Sequence, residues 1–151
     1  KLLITRMNEG KMEDVQKGMP RRILVVDDNN DSRELVVKVL KNRGYEMIEA
    51  IDGEEALEKA VSEKPDLILM DISIPKLNGY EVTKRLKLLD EVKEIPVVAL
   101  TAHAMKGDRA KAIEAGCEGY ISKPINVREL PEQVKSYMRG KWESIFGGEK
   151  E

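Results

Sequence analysis

Asp27, Asp28, Asp71, Thr101 and Lys123 are the residues of this 151-residue chain whose types together support phosphate or metal chemistry. Each follows an apolar run. Arg21-Arg22-Ile23-Leu24-Val25-Val26 leads into Asp27-Asp28, Asp66-Leu67-Ile68-Leu69-Met70 into Asp71, and Val97-Val98-Ala99-Leu100 into Thr101. A weaker run, Gly119-Tyr120-Ile121-Ser122, ends at Lys123-Pro124. Two carboxylates about 5 Å apart repel by roughly 3 kcal/mol at an effective dielectric near 20. Three of them beside one ammonium leave a charge deficit that a divalent cation neutralises. Mg²⁺ suits such a cluster, since it takes hard oxygen ligands, keeps several waters and uses one or two carboxylates plus phosphate oxygens. A carboxylate is also a competent nucleophile for phosphoryl transfer, forming an aspartyl-phosphate. Metal and ammonium then stabilise charge on the transferring group.

For these groups to meet, the runs must lie side by side. Unbroken Val/Ile/Leu stretches read as strands of a parallel sheet covered on both faces. Residues 45–50 alternate and read as a further, more exposed strand. Helical patterns fall between the strands, giving βαβαβαβαβα. That alternation predicts an α/β fold with right-handed crossovers: a flavodoxin-like, doubly wound, five-stranded parallel sheet of order 2-1-3-4-5. Strands 1 and 3 then flank the topological switch point, where ligands bind at the carboxyl ends. Asp27-Asp28 and Asp71 face one another there.

The helices carry their own signals. Asn30 or Asp31 is the expected N-cap of the first, with Val36, Val39 and Leu40 on one face and Gly44 closing it. Asp52-Gly53-Glu54-Glu55 opens the second, which carries Ala56, Leu57, Ala60 and Val61 on one side. Gly79 to about Leu89 reads as the third, with Val82, Leu86 and Leu89 inward. Residues 104–115 form an alanine-rich fourth, stopped by Gly116, and 127–138 a fifth. Pro131 either makes the first turn of that helix irregular or sits near N1. Residues 1–20 read as an N-terminal extension or linker, 21–139 as the domain, and 140–151 as a C-terminal tail that could extend the last helix. Val134, Tyr137 or Met138, Trp142, Ile145 and Phe146 recur at helical spacing. The pattern fits an extension of the last helix folding back on its own domain or a docking or dimer surface, and the first is favoured because Gly140 weakens a continuous helix.

Composition narrows the classes. The 26 basic and 28 acidic residues nearly cancel, so net charge gives no reason to expect nucleic acid as a partner. Aromatics are 4% of the chain, so the core must be aliphatic. The lone Cys117 excludes an internal disulfide and reads as a small hydrophobe near a helix end. No apolar stretch approaches a membrane span and no signal-peptide core is present, so the expectation is a cytoplasmic chain without membrane contact. The first residue is Lys1, which reads as a piece of a longer polypeptide.

The set Val26-Asp27-Asp28, Leu69-Met70-Asp71-Ile72-Ser73-Ile74-Pro75 with Gly79, Leu100-Thr101-Ala102 and Tyr120-Ile121-Ser122-Lys123-Pro124 resembles the receiver domain of bacterial two-component response regulators, over about residues 21–139. The resemblance implies that Asp71 is the phosphoacceptor, taking a phosphoryl group from a histidine kinase or a histidine phosphotransfer protein. It implies Mg²⁺ (or Mn²⁺) bound directly by Asp28 and Asp71, by Asp27 through water, and by the backbone carbonyl of Ser73. Lys123 would pair with Asp71 or its phosphate, with a cis peptide before Pro124. Thr101 would hydrogen-bond the phosphoryl group and Tyr120 would rotate inward, changing the surface of the fourth helix, fifth strand and fifth helix for a downstream protein target or a homodimer partner. His103 follows as a loop residue beside Thr101. The chain is expected to catalyse only its own aspartyl phosphorylation and dephosphorylation. Only twelve residues follow Arg139, too few for a DNA-binding output domain, leaving a stand-alone regulator, a relay intermediate or the receiver segment of a hybrid kinase.

Two rival classes remain. A haloacid-dehalogenase-like phosphatase also uses a strand-end Asp, but its second acid would fall at Ser73. A phosphorylation-dead interaction module fits poorly with the intact acidic set. A flavin-binding protein is disfavoured because the first strand leads into Asp27-Asp28-Asn29-Asn30 rather than a Gly/Ser/Thr phosphate loop, and no G-x-G-x-x-G or Walker A motif occurs.

Overall fold

The computed structural model describes residues 21–102 and 106–145, apart from the side chains at 106 and 139–145. The strands are β1 (Arg22–Val26), β2 (Glu46–Ala50), β3 (Leu67–Asp71), β4 (Val97–Thr101) and β5 (Gly119–Ser122). The helices between and after them are α1 (Asn30–Lys41), α2 (Gly53–Glu63), α3 (Gly79–Leu86), α4 (Lys106–Ala115) and α5 (Leu130–Ile145). All strand pairs are parallel, in the order β2-β1-β3-β4-β5, which is the expected flavodoxin-like sheet.

Strand pleating sends alternate residues to opposite faces, and two aliphatic clusters result. Leu24, Val26, Ile68, Met70, Val97 and Ala99 pack under α2, α3 and α4, where Ala56, Ala60, Val82, Leu86 and Ala112 are buried. Ile23, Val25, Leu67, Leu69, Val98 and Leu100 pack under α1 and α5, against Val36, Leu40, Leu130, Val134 and Met138. The central strands are buried on both faces, which is why they read as unbroken hydrophobic runs. β2, at the sheet edge, keeps Glu46 and Glu49 exposed.

Three local expectations need correction. The N-cap of α1 is Asn29, not Asn30 or Asp31: its backbone is extended, and its side chain accepts from Ser32 N at 2.8 Å. Helix α3 ends at Leu86, not near Leu89. Leu88 and Leu89 donate to Arg85 and Leu86 at 3.1 Å in tight turns, and Val92 and Ile95 fill the core in place of Leu89. Helix α5 begins at Leu130 rather than 127, because the Asn126 side chain accepts from Arg128 N and Glu129 N and holds a turn there. Pro131 sits in the first turn of α5, where its missing N–H costs nothing, and the helix continues through Gly140 to Ile145. Gly44 closes α1 as expected, with φ +95 and its N–H donating to Lys41 O at 3.0 Å. Asp52 caps α2, accepting from Glu55 N at 2.8 Å. His103, Phe146 and residues 1–20 lie outside the described residues, as do the side chains of Trp142 and Ile145.

Candidate functional site

Register brings the acids together. Val26 pairs with Met70, so the next residue along the chain is Asp27 just beyond β1 and Asp71 at the end of β3. Thr101 at the end of β4 pairs with Ser122 of β5, and Lys123 follows one position on. Lys123 N donates to Thr101 O at 2.8 Å, and the Lys123-Pro124 peptide is cis. Behind Asp71 the chain turns tightly into α3: a Cβ on Gly79 would lie 2.7 Å from the Asp71 carbonyl oxygen, so only glycine fits there.

Lys123 Nζ donates to Asp71 Oδ2 at 2.9 Å and to Asp27 Oδ2 at 3.2 Å. The other oxygen of each acid accepts a backbone N–H: Asn29 N to Asp27 Oδ1 and Ser73 N to Asp71 Oδ1, both at 3.0 Å. Asp27 is fully buried and Asp71 is 4% exposed, while Asp28 stands at the surface. Burial drives the Asp27 carboxyl above its ordinary value and the Asp71 charge adds to the rise, against the opposing Asn29 N–H and Lys123. Burial also works against the Lys123 ammonium, but the hydrogen bond and charge of Asp71, joined by Asp27, outweigh it and raise the lysine.

One oxygen from each of Asp27, Asp28 and Asp71 lies within 4.8 Å of the others. Mg–O bonds of about 2.1 Å place opposite ligands roughly 4.2 Å apart, so the cluster accommodates one Mg²⁺ when water completes the shell or a side chain closes slightly. The donor set is hard and anionic, and Lys123 balances one of three carboxylates. The residues fit the ion.

Of the remaining expected residues, Thr101 ends β4 and Tyr120 lies within β5, paired with Ala99 of β4. Thr101 is 8% exposed. Tyr120 on β5 is half-buried, with the Arg109 guanidinium from α4 stacked 5.0 Å over its ring and Arg109 Nη2 donating to its hydroxyl. Cys117 is buried beside Thr83, and burial pushes its thiol up to about 11. The sequence reading missed Arg109 and Arg33. Arg33 Nη1 donates to the Asp27 carbonyl oxygen at 2.9 Å. Nothing in the sequence separates these from other helix-surface arginines. No helix of the described residues is long and apolar enough to cross a membrane.

Fold and site together define a doubly wound domain that gathers carboxylates and one lysine at its switch point, the arrangement of a phosphoryl-accepting signalling module. A response regulator receiver domain model matches residues 23–135, and the chain belongs to that family. It is 48% identical over 120 residues to the polar-differentiation response regulator DivK of Brucella anthropi, covering 80% of this chain and 98% of that one. A putative response regulator from Chloroflexus aurantiacus superposes with a TM-score of 0.76 at 33% identity, over 80% of this chain and 98% of the other. The receiver domain of the sensor histidine kinase PA1611 from Pseudomonas aeruginosa, whose structure has a magnesium ion coordinated in its active site cleft, gives a TM-score of 0.74 at 32% identity, over 80% and 98%. The chain is thus a receiver of two-component signalling, a family whose members work with histidine kinases and downstream targets.

Proposed function

We propose that Asp71 is the phosphoacceptor. The observation that carries this is its placement: a 4%-exposed carboxylate at the switch point, held by Lys123 Nζ at 2.9 Å and Ser73 N at 3.0 Å. An Asp71 oxygen attacks the phosphorus of a phosphohistidine on a kinase or phosphotransfer protein. The P–N bond breaks, the imidazole departs with the electron pair, and an aspartyl-phosphate remains. Asp27, Asp28 and Asp71, with the backbone carbonyl of Ser73, would hold Mg²⁺ (or Mn²⁺), which supplies divalent charge beside the phosphoryl oxygens. Lys123 offers a second cation, and Thr101 a hydroxyl at the same edge. The new phosphoryl charge draws Thr101 inward, and Tyr120 follows. That movement alters the α4–β5–α5 face, which a downstream protein or a second copy of the chain reads. The protein performs no chemistry beyond gaining and losing its own phosphoryl group, and it works in the cytoplasm.

Incubation with acetyl phosphate and Mg²⁺ tests the assignment. The expected result is a mass gain of one phosphoryl group that Asp71→Asn abolishes. Phosphorylation persisting in Asp71→Asn overturns the assignment to Asp71. Steady hydrolysis of phosphate esters would instead favour a phosphatase, and no modification of the unaltered chain an interaction module without phosphoryl chemistry.

A further inference from the structure

We propose that Arg33 is a positioning residue for the metal site, acting through the peptide that joins Asp27 to Asp28. This rests on the acidic cluster being the Mg²⁺ site proposed above. β1 makes its last sheet hydrogen bond to β2 at Asp27, whose N–H donates to Ala50 O at 3.0 Å. Beyond that point the ladder no longer orients the chain, yet Asp28 must be aimed from there. The Asp27 carbonyl oxygen, which fixes the plane of the next peptide, accepts from Arg33 Nη1 at 2.9 Å. Arg33 itself is held at two other points: Nε donates to Glu49 Oε1 at 2.9 Å on β2, and Nη2 to Asn30 Oδ1 at 2.7 Å at the start of α1. Its side chain is only 12% exposed.

A planar guanidinium with three separately directed bonds works as a bracket between β1, β2 and α1. Asp28 is the surface-exposed member of the acid trio, so burial does little to hold it. Rotation of the Asp27–Asp28 peptide would swing the Asp28 carboxylate out of the 4.8 Å cluster. Arg33 blocks that rotation. A lysine cannot replace it, because one ammonium on a flexible stem lacks the fixed fork that reaches all three acceptors. Partners behind metal ligands typically contribute about 10- to 100-fold in metal affinity, and Arg33 stands one step behind Asp28 in that sense.

The test is calorimetric titration of the folded chain with Mg²⁺. Arg33→Met and Arg33→Lys should each raise the Mg²⁺ Kd by about tenfold or more. Arg22→Met, which removes a comparable guanidinium at the far end of β1, should leave it within about twofold. Raising Mg²⁺ to saturation should restore the acetyl phosphate reaction of Arg33→Lys to the parental rate, a split that general loss of structure would not give. A Kd within about twofold of the parent in Arg33→Lys, measured well below its melting temperature, overturns the proposal while the metal site stands. A parent that binds no Mg²⁺ overturns both.

Discussion

The two ends of the same sheet treat charge in opposite ways. At the amino ends of the strands, Arg22 N donates to Asp66 Oδ2 and Asp66 N to Arg22 O, both at 2.8 Å. The Arg22 guanidinium reaches the carboxylate and the carbonyl of Glu63, and Nε lies 3.7 Å from Glu46. The charges of Arg22, Glu46, Glu63 and Asp66 are opposed there and stay at least partly exposed, while Arg21 beside them is buried. At the carboxyl ends, two buried acids share a single ammonium, and a surface acid stands beside them. Exposed opposite pairs add little to stability, whereas buried like charges cost it. One end is therefore arranged for the fold, and the other holds an excess of negative charge that only a bound cation relieves.

Neutralising an acid should have opposite consequences at the two ends. Asp71 faces two like charges and one opposite, a net repulsion of up to about 3 kcal/mol at an effective dielectric near 20. Asp71→Asn should therefore raise the urea midpoint measured without Mg²⁺; a clear fall would remove the contrast. The next effect is the ion itself. Mg²⁺ at tenfold its Kd should stabilise the parent by about 1.4 kcal/mol, seen as a rise of about 4 °C in Tm, and Asp28→Asn should lose most of it. The pH dependence has a definite sign. Asp27 keeps its proton in the fold to a higher pH than in the unfolded chain, where its ordinary value is 3.8. Without metal, stability from this group is full below 3.8 and declines as pH rises through the raised folded value. Mg²⁺ binds the ionised form, so the Tm gain should grow across the same window.

Asp52 sharpens the contrast, because it is an acid near the same end of the sheet that has been given partners. The Glu55 N–H bond is the main cause of its lowered carboxyl, and Lys76 adds to the effect at 3.4 Å. Asp52→Ala should cost about 1 kcal/mol by loss of the α2 cap, and Asp52→Asn only a few tenths. The charge-dependent part is present above 3.8 and is lost as pH falls through the lowered folded value. An acid titration comparing the parent with Asp52→Asn reads it directly. The smallest effect belongs to the amino-terminal end: Arg22→Met should cost at most about 1 kcal/mol, since its pairs are solvated. A larger loss in the denaturation midpoint would show that this end also stores substantial electrostatic energy.

What could be read before the structure was the periodic part. Continuous apolar runs in 23–26, 67–70 and 97–100 announced central strands, and the residue ending each run announced its edge. Boundaries were less legible where neighbouring options compete. Asn29, Asn30 and Asp31 are all good caps, and the exit of β1 selects Asn29 by leaving it extended. Leu89 has the right spacing for α3, yet the tight turns after Leu86 send Val92 and Ile95 to the core instead. Arg33 and Arg109 carried no signal at all, because an arginine on a helix is ordinarily a solvated charge.

The sequence by itself determined the strand and helix alternation, the strand-end acids and the lysine, because hydrophobic periodicity and residue chemistry are local properties. Only the tertiary structure decided that Lys123 reaches both Asp27 and Asp71, and that Arg33 grips the Asp27 carbonyl. Those contacts join residues as far as 96 positions apart. Their distances follow from sheet register and loop geometry, which no single segment encodes.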